Sequence, residues 1–202
     1  MIVTIFDTET TGLIPRRTIL QKETLDKYPN VVQFSYLKYD TETRKILKVV
    51  DRIIRLDPAI QISQESVKFH KITREISTEQ GVDIAEVLKE FFDDVLDSDL
   101  LAAHNYEFDW VMIQAECMRN NIEIPHIPTE RYCTMKETAA FCKIPSQFKK
   151  LNDEYKWPTL FELYLKLFNE VPENLHNSLY DVYATLRCLI KFRFGQDIGM
   201  IQ

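Results

Sequence analysis

Two acidic residues stand two apart near the start of the chain: Asp7 and Glu9, at the end of an apolar run, Met1 to Phe6, that reads as a buried strand. On a strand, the two-residue period turns both carboxylates to one face, where they can share a divalent cation. The plainer alternative is a solvated turn, because Thr10-Thr11-Gly12 follows directly. Two more acids occupy comparable settings: Asp109, soon after the short apolar run Leu100 to Ala103, and Asp181, which follows His176 by five residues. Each has a structural alternative. Asp109 could offset a helix macrodipole from the first turn, and Asp181 could be a polar position on a helix whose apolar stripe is Leu179, Val182, Leu186 and Leu189. His176 brings the side chain whose unperturbed pKa lies nearest neutrality. Five residues of regular helix turn by about 140°, so His176 and Asp181 cannot face one point from mid-helix. His176 is therefore predicted to precede the helix or to open it, on the loop that contains Pro172.

The elements that must carry these residues can be read from periodicity. After the first strand, residues 14–30 are polar and hold Pro15 and Pro29, which predicts a long loop. Val31 to Tyr39 reads as a second strand, Asp40 to Lys45 as a turn and Ile46 to Leu56 as a third strand, which together make an antiparallel meander. Helical spacing follows at 64–70 and 83–97, a short buried strand at Leu100 to Ala103, a helix over 107–120, a strand at 131–134, and helices over 135–142, 159–169 and 177–194. Strands first and alternating elements later predict a mixed α/β sheet with helices on its faces. The length of 202 residues suits one domain, and only four glycines leave few flexible joints. Cys117, Cys133, Cys142 and Cys188 form no C-x-x-C pair, which removes a zinc ribbon or disulfide scaffold and suits a reducing compartment. Asp7 and Glu9 fall where a secretory apolar segment would have to lie, and no run is long enough to span a bilayer. The expectation is a cytoplasmic or otherwise intracellular protein with no membrane partner. With 25 basic and 31 acidic residues the net charge is −6, which argues against holding long nucleic acid by counterion release alone. It is compatible with a site whose carboxylates hold cations that reverse the local field.

Taken in order, Phe6-Asp7-Thr8-Glu9-Thr10-Thr11-Gly12-Leu13, then His104-Asn105 with Phe108-Asp109, then His176 with Asp181 resemble the three motifs of the DEDDh (DnaQ-like) 3'-to-5' exonucleases. The resemblance spans most of the chain and extends to the closing helices from Lys156 to Leu189. It implies an RNase H-like fold: a five-stranded mixed sheet, three strands antiparallel and the rest parallel, with helices on both faces, as one exonuclease domain over residues 1–202. It also implies two Mg²⁺ or Mn²⁺ ions per site, a hard-cation choice that oxygen ligands favour. By this resemblance Asp7, Glu9 and Asp181 hold one ion, and Asp7 with Asp109, acting through water, holds the other. His176 is then the general base. The implied partner is the 3' end of nucleic acid, mainly single-stranded, with DNA favoured over RNA. A polymerase's proofreading partner, a freestanding repair enzyme and an RNA-trimming enzyme share the same five catalytic positions. An inactive binding module should have lost a ligand, and none is missing here.

The same resemblance assigns the terminal nucleotide to Thr10 and Thr11, with Gly12 permitting close approach and Leu13 packing nearby. In Phe69-His70-Lys71-Ile72-Thr73, His70 resembles a histidine placed beside that nucleotide, although Lys71 stands where a glycine is common; an ordinary surface histidine is the alternative. Phe108 is read either as a stacking surface for terminal bases or as core, and Asn105 as a residue that ties its loop by hydrogen bonds. Lys143, Lys149, Lys150 and Lys156 around Phe148, Tyr155 and Trp157 form a basic, aromatic stretch that could track phosphates or simply be a solvated face. Arg16 and Arg17 are better placed for a phosphate, unless their loop is an insertion with its own purpose.

Overall fold

The structure is a computed structural model that describes residues 1–127, 130–146 and 155–199. Phe148, Lys149 and Lys150 of the basic stretch lie outside the described residues. Five strands, β1 (Ile2–Thr10), β2 (Val31–Asp40), β3 (Lys45–Ile53), β4 (Leu100–Ala103) and β5 (Glu130–Cys133), form one sheet in the order β3-β2-β1-β4-β5. β1 to β3 pair antiparallel, while β4 runs parallel to both β1 and β5. The helices are α1 (Gln64–His70), α2 (Arg74–Gln80), α3 (Ile84–Val95), α4 (Tyr106–Arg119), α5 (Thr134–Glu137), α6 (Ala139–Cys142), α7 (Leu160–Phe168) and α8 (Ser178–Phe194).

Strand alternation sorts the core into two layers. Val3 and Ile5 of β1 join Leu37, Tyr39, Leu100 and Ala102 against Val182, Leu186, Leu189 and Ile190 of α8. Phe6, one position out of phase, points to the opposite face with Phe34, Tyr36 and Leu101, where α3 and α4 close over it. There the Phe91 ring lies 5.6 Å from Phe6, 5.0 Å from Phe34 and 5.2 Å from Tyr36. Each large apolar side chain buried this way stabilises the fold by about 1.5–3 kcal/mol. α8 is bounded by an Asn177 N-cap, which accepts from Leu179 N, and by Gly195 at φ +70°.

Several boundaries differ from the sequence reading. β1 does not stop at Phe6 but continues through both carboxylates to Thr10, because β2 keeps pairing with it: Asp7 faces Ser35 and Glu9 faces Gln33. β3 ends at Ile53, and Ile54 only bridges to Val82. Inside the loop over 14–30, Lys22–Lys27 forms a 3-10 helix. Arg119 of α4 fixes the end of this loop by donating to the carbonyls of Leu25, Tyr28 and Pro29 at 3.2, 2.7 and 3.0 Å. α2 escaped the reading because only Ser77 of its seven residues is buried. The helix expected over 135–142 is two short pieces broken at Thr138, whose hydroxyl donates back to the Thr134 carbonyl at 2.7 Å.

Candidate active site

The site forms where the central strand outruns its parallel neighbour. β4 pairs with β1 only as far as Ile5, so residues 6–10 project past the carboxyl end of β4, the usual place for a ligand in a sheet of this kind. The exposed edge is not left unpaired. Asp109, in the first turn of α4, accepts from Thr8 N at 2.9 Å and from Thr8 Oγ1 at 2.7 Å, so its carboxylate replaces the missing strand partner. Thr8 faces α4, whereas Asp7 and Glu9 face the α8 layer, where Asp181 sits in the first turn of the helix. A ligand oxygen from each of Asp7, Glu9 and Asp181 lies within 4.8 Å of the others.

A polar network seats α8 against the strand. Ser178 Oγ donates to the Asp7 carbonyl at 2.7 Å, and Ser178 N donates to Gln33 Oε1 at 3.3 Å. Gln33 Nε2 and Ser35 Oγ both donate to Asp51 Oδ1, at 2.8 and 2.7 Å. The β1–β2 register also shifts between Glu9 and Thr10, a bulge beside the carboxylates that re-aims the strand end. Ser178 and Gln33 were not singled out in the sequence; alternation on β2, which puts Gln33 and Ser35 on the Leu37 face, was the available signal.

These acids repel one another in a dehydrated setting. Burial lifts Asp7 from its ordinary 3.8 to about 7. Burial and the neighbouring Asp7 lift Glu9 to about 8, and burial with Asp7 and Glu9 lifts Asp181 to about 9. Buried Asp109 is likewise raised, first by burial and then by Asp7. The opposing influences are hydrogen bonds from Ser178, Thr8 and the His176 backbone, with no lysine or arginine among them. Asp181 Oδ1 is buried and has no hydrogen-bond partner among the described residues. An all-oxygen cluster with an unsatisfied buried acceptor and no compensating cation among the described residues fits a hard divalent ion, whose charge would restore the ionised state of all three acids.

His176 lies two residues before α8, as its spacing required, with φ +71°. Its backbone N–H donates to Asp181 Oδ2 at 3.2 Å, its side chain is exposed, and its ring meets Phe69 at 5.2 Å. His104 is different in kind. Its Nδ1 pairs with Thr134 Oγ1 at 2.9 Å and its Nε2 with the Pro158 carbonyl at 3.1 Å, and burial lowers its pKa to about 4. It is a neutral tether between α5 and the start of α7.

Residues 4–189 match the model of the RNase T exonuclease family. The chain belongs to this exonuclease family. No curated protein matches it by sequence. Its structure resembles E. coli Exonuclease I in complex with a dT13 oligonucleotide, with TM-score 0.70 and 18% identity over 96% of this chain and 42% of that one. It also resembles the nuclease domain of 3'hExo, a DEDDh family member bound to rAMP, with TM-score 0.70 and 16% identity over 100% of this chain and 96% of that one. Exonuclease X in complex with 5' overhanging duplex DNA matches at TM-score 0.55 and 22% identity over 98% and 96%. The chain thus spans less than half the length of Exonuclease I. The mixed five-stranded sheet with its helices is the RNase H-like fold of these exonucleases. The family uses divalent metal ions, and the acidic cluster is compatible with them. No helix among the described residues is long and apolar enough to cross a membrane.

The residues expected to hold substrate sit at and just after the end of β1, at the end of α1 and at the start of α4. Thr10 Oγ1 donates to the Gly12 carbonyl at 2.6 Å, and Thr11 Oγ1 accepts from Asn30 N at 3.0 Å, so both hydroxyls serve the loop. Leu13, on the loop after β1, is 85% exposed. At Gly12 an added Cβ would meet nothing within 4 Å, so the fold does not need glycine there and the space above it stays open. His70 is buried rather than a surface histidine: Nδ1 accepts from Ile72 N at 3.0 Å, and Nε2 lacks a hydrogen-bond partner among the described residues. Lys71 adopts φ +64°, the left-handed cap in which glycine is easiest. Asn105 holds its loop through a left-handed backbone, its carbonyl accepting from Phe108 N at 2.9 Å, and not through a side-chain cap. Phe108 packs half-buried against the α3/α4 core. Lys156 pairs with Glu162 at 2.6 Å, and Lys136 lies over the exposed Trp157 ring at 5.5 Å.

Proposed function

We propose that this exonuclease hydrolyses the terminal phosphodiester bond at 3' ends, releasing nucleoside 5'-monophosphates, with single-stranded DNA preferred and Mg²⁺ or Mn²⁺ as cofactor, and that residues 1–202 act as one domain. The observation that carries the reading is the convergence of Asp7, Glu9 and Asp181, from a strand and a helix far apart in sequence, beside a histidine held just ahead of that helix. When bound, a pair of divalent ions supplies an activated water, neutralises charge on the phosphoryl group and stabilises the departing 3' oxygen. Asp7, Glu9 and Asp181 would hold one ion, and Asp7 with Asp109 the other. His176 takes the proton of the attacking water; its exposed ring and its tie to Asp181 keep it at the mouth of the cluster. Open space at Gly12 would admit the terminal sugar, and Thr10, Thr11, Leu13, His70, Asn105 and Phe108 remain the residues proposed to contact the terminal nucleotide. Exonuclease I bound to dT13 favours DNA as substrate. RNA trimming is the second reading, supported by the full-length likeness to the rAMP-bound domain of 3'hExo.

Matched DNA and RNA strands carrying a 3' label, single and double, with free or blocked 3' hydroxyls, provide the test. Mononucleotide release from free 3' ends in Mg²⁺, fastest on single-stranded DNA, is expected; release from RNA alone selects the second reading. No release under any metal, or release that survives Asp7→Asn, rejects both. His176→Ala should lower kcat by roughly 10²–10⁴-fold, the usual cost of losing a general base, while metal binding measured by calorimetry stays near wild type.

A further inference from the structure

We infer that Phe69 is the positioning residue for His176: an edge contact between two rings, in place of a hydrogen bond, sets the direction of the imidazole. The inference rests on the reading of His176 as general base. A histidine base is ordinarily oriented by a third group bonded to one ring nitrogen. His176 has none: among the described residues neither of its ring nitrogens makes a hydrogen bond, and its single polar tie, N–H to Asp181 Oδ2 at 3.2 Å, runs through the backbone. That tie and the left-handed φ of +71° place the Cα and leave the side-chain torsions undecided. The ring meets Phe69 at 5.2 Å with an interplanar angle of 68°, the T-shaped arrangement that ring quadrupoles prefer.

Phe69 is otherwise hard to account for. It is 53% exposed on α1, so it adds little to the core. Its helix is held by other means: Ser63 caps it, accepting from Ser66 N at 3.0 Å, Ser63 N donates to the Thr11 carbonyl at 3.2 Å, and the adjacent His70 is buried. α1 is therefore a fixed platform that presents an aromatic ring to the loop before α8. His104 supplies the contrast, since bonds to both of its nitrogens lock the ring but leave no lone pair for catalysis. An aromatic contact orients an imidazole while keeping both nitrogens available to take up a proton and release it.

The test is a double-mutant cycle on labelled oligonucleotide hydrolysis. Phe69→Ala should lower kcat by between about tenfold and about 100-fold, the scale of a misplaced catalytic group, with KM within about twofold and with Phe69→Tyr close to wild type. In a His176→Ala background, adding Phe69→Ala should change nothing further. In the metal-free protein, the His176 ring-proton NMR signals should move on Phe69→Ala as the ring-current shift disappears. The inference is overturned by an undiminished kcat in Phe69→Ala, by unmoved His176 signals, or by the same fold-loss in both backgrounds, which would mean that Phe69 acts on the strand or the fold. A His176→Ala enzyme with wild-type turnover would overturn the general-base reading itself and this inference with it.

Discussion

α8 carries two charged centres six residues apart that have been treated oppositely. At Asp181 the helix brings a third carboxylate to two others with no cation beside them among the described residues; burial lifts all three, and the neighbouring charges lift Glu9 and Asp181 further. At Arg187, almost fully buried, every donor group is used. Nε and Nη2 donate to Asp197 at 2.8 and 3.0 Å, Nη1 donates to Glu170 at 2.7 Å and to Tyr164 Oη, and the guanidinium lies 3.9 Å from the centroid of Phe168. The second centre joins α7, α8 and the residues after Gly195, and nothing about it invites a ligand. The first is a stored electrostatic cost, which is the usual mark of a site awaiting a counter-charge. One element therefore serves both stability and chemistry, and charge compensation tells which is which.

The largest effect should come from Asp7→Asn, which breaks the unpaired centre: hydrolysis falls to background in any divalent metal. The same change should raise the metal-free Tm by about 2–4 °C at pH 8, the shift that 1 kcal/mol produces in a chain of this size, because one of three crowded charges is gone. Calorimetric melting without metal checks it, and a lower Tm would deny that the cluster is under strain. Arg187→Ala should act the other way. Removing a buried, fully bonded guanidinium should cost about 2–4 kcal/mol in urea unfolding, with kcat per folded molecule unchanged.

Metal-free stability should also depend on pH in the sense opposite to that of ordinary paired carboxylates. Asp7, Glu9 and Asp181 keep protons in the fold up to about 7, 8 and 9, whereas the unfolded chain releases them near their ordinary 3.8, 4.5 and 3.8. Between about pH 4 and pH 9 the native state binds more protons than the unfolded one, so this contribution is complete below pH 4 and is lost as pH rises through those values. Tm should fall from pH 6 to pH 9 without metal, and saturating Mg²⁺ or Mn²⁺ should flatten the slope. The smallest effect belongs to Lys71→Gly, which should stabilise the protein by about 0.5–1 kcal/mol by relieving a left-handed side-chain clash at the end of α1.

Much of the architecture was legible in the chain. The apolar runs at Val31 and Leu100 and the stripe of Val182, Leu186 and Leu189 became β2, β4 and the buried face of α8. Period-two geometry put Asp7 and Glu9 on one face, and the five-residue offset placed His176 ahead of its helix. Less legible were elements whose signal is tertiary. α2 is mostly exposed, the 3-10 helix at Lys22–Lys27 sits in a loop whose end is anchored by Arg119, and the hydroxyls of Thr10 and Thr11 are taken up by loop contacts with Gly12 and Asn30. Leu13, apolar by type, is left in water.

Side-chain period and helical rotation were enough to put Asp7 and Glu9 on one face and His176 ahead of its helix, because both are local properties that covalent geometry imposes on any chain; grouping these residues with Asp109 and Asp181 as one site rested on the resemblance to the DEDDh motifs. The roles of Thr8 as the clasp on Asp109, of Ser178 and Gln33 as the seat of α8, and of Phe69 beside His176 follow from which segments meet after folding. Each of those meetings spans more than a hundred residues, and no local pattern encodes them, since they arise from β1 outrunning β4 and from the seating of α8 against β1 and β2.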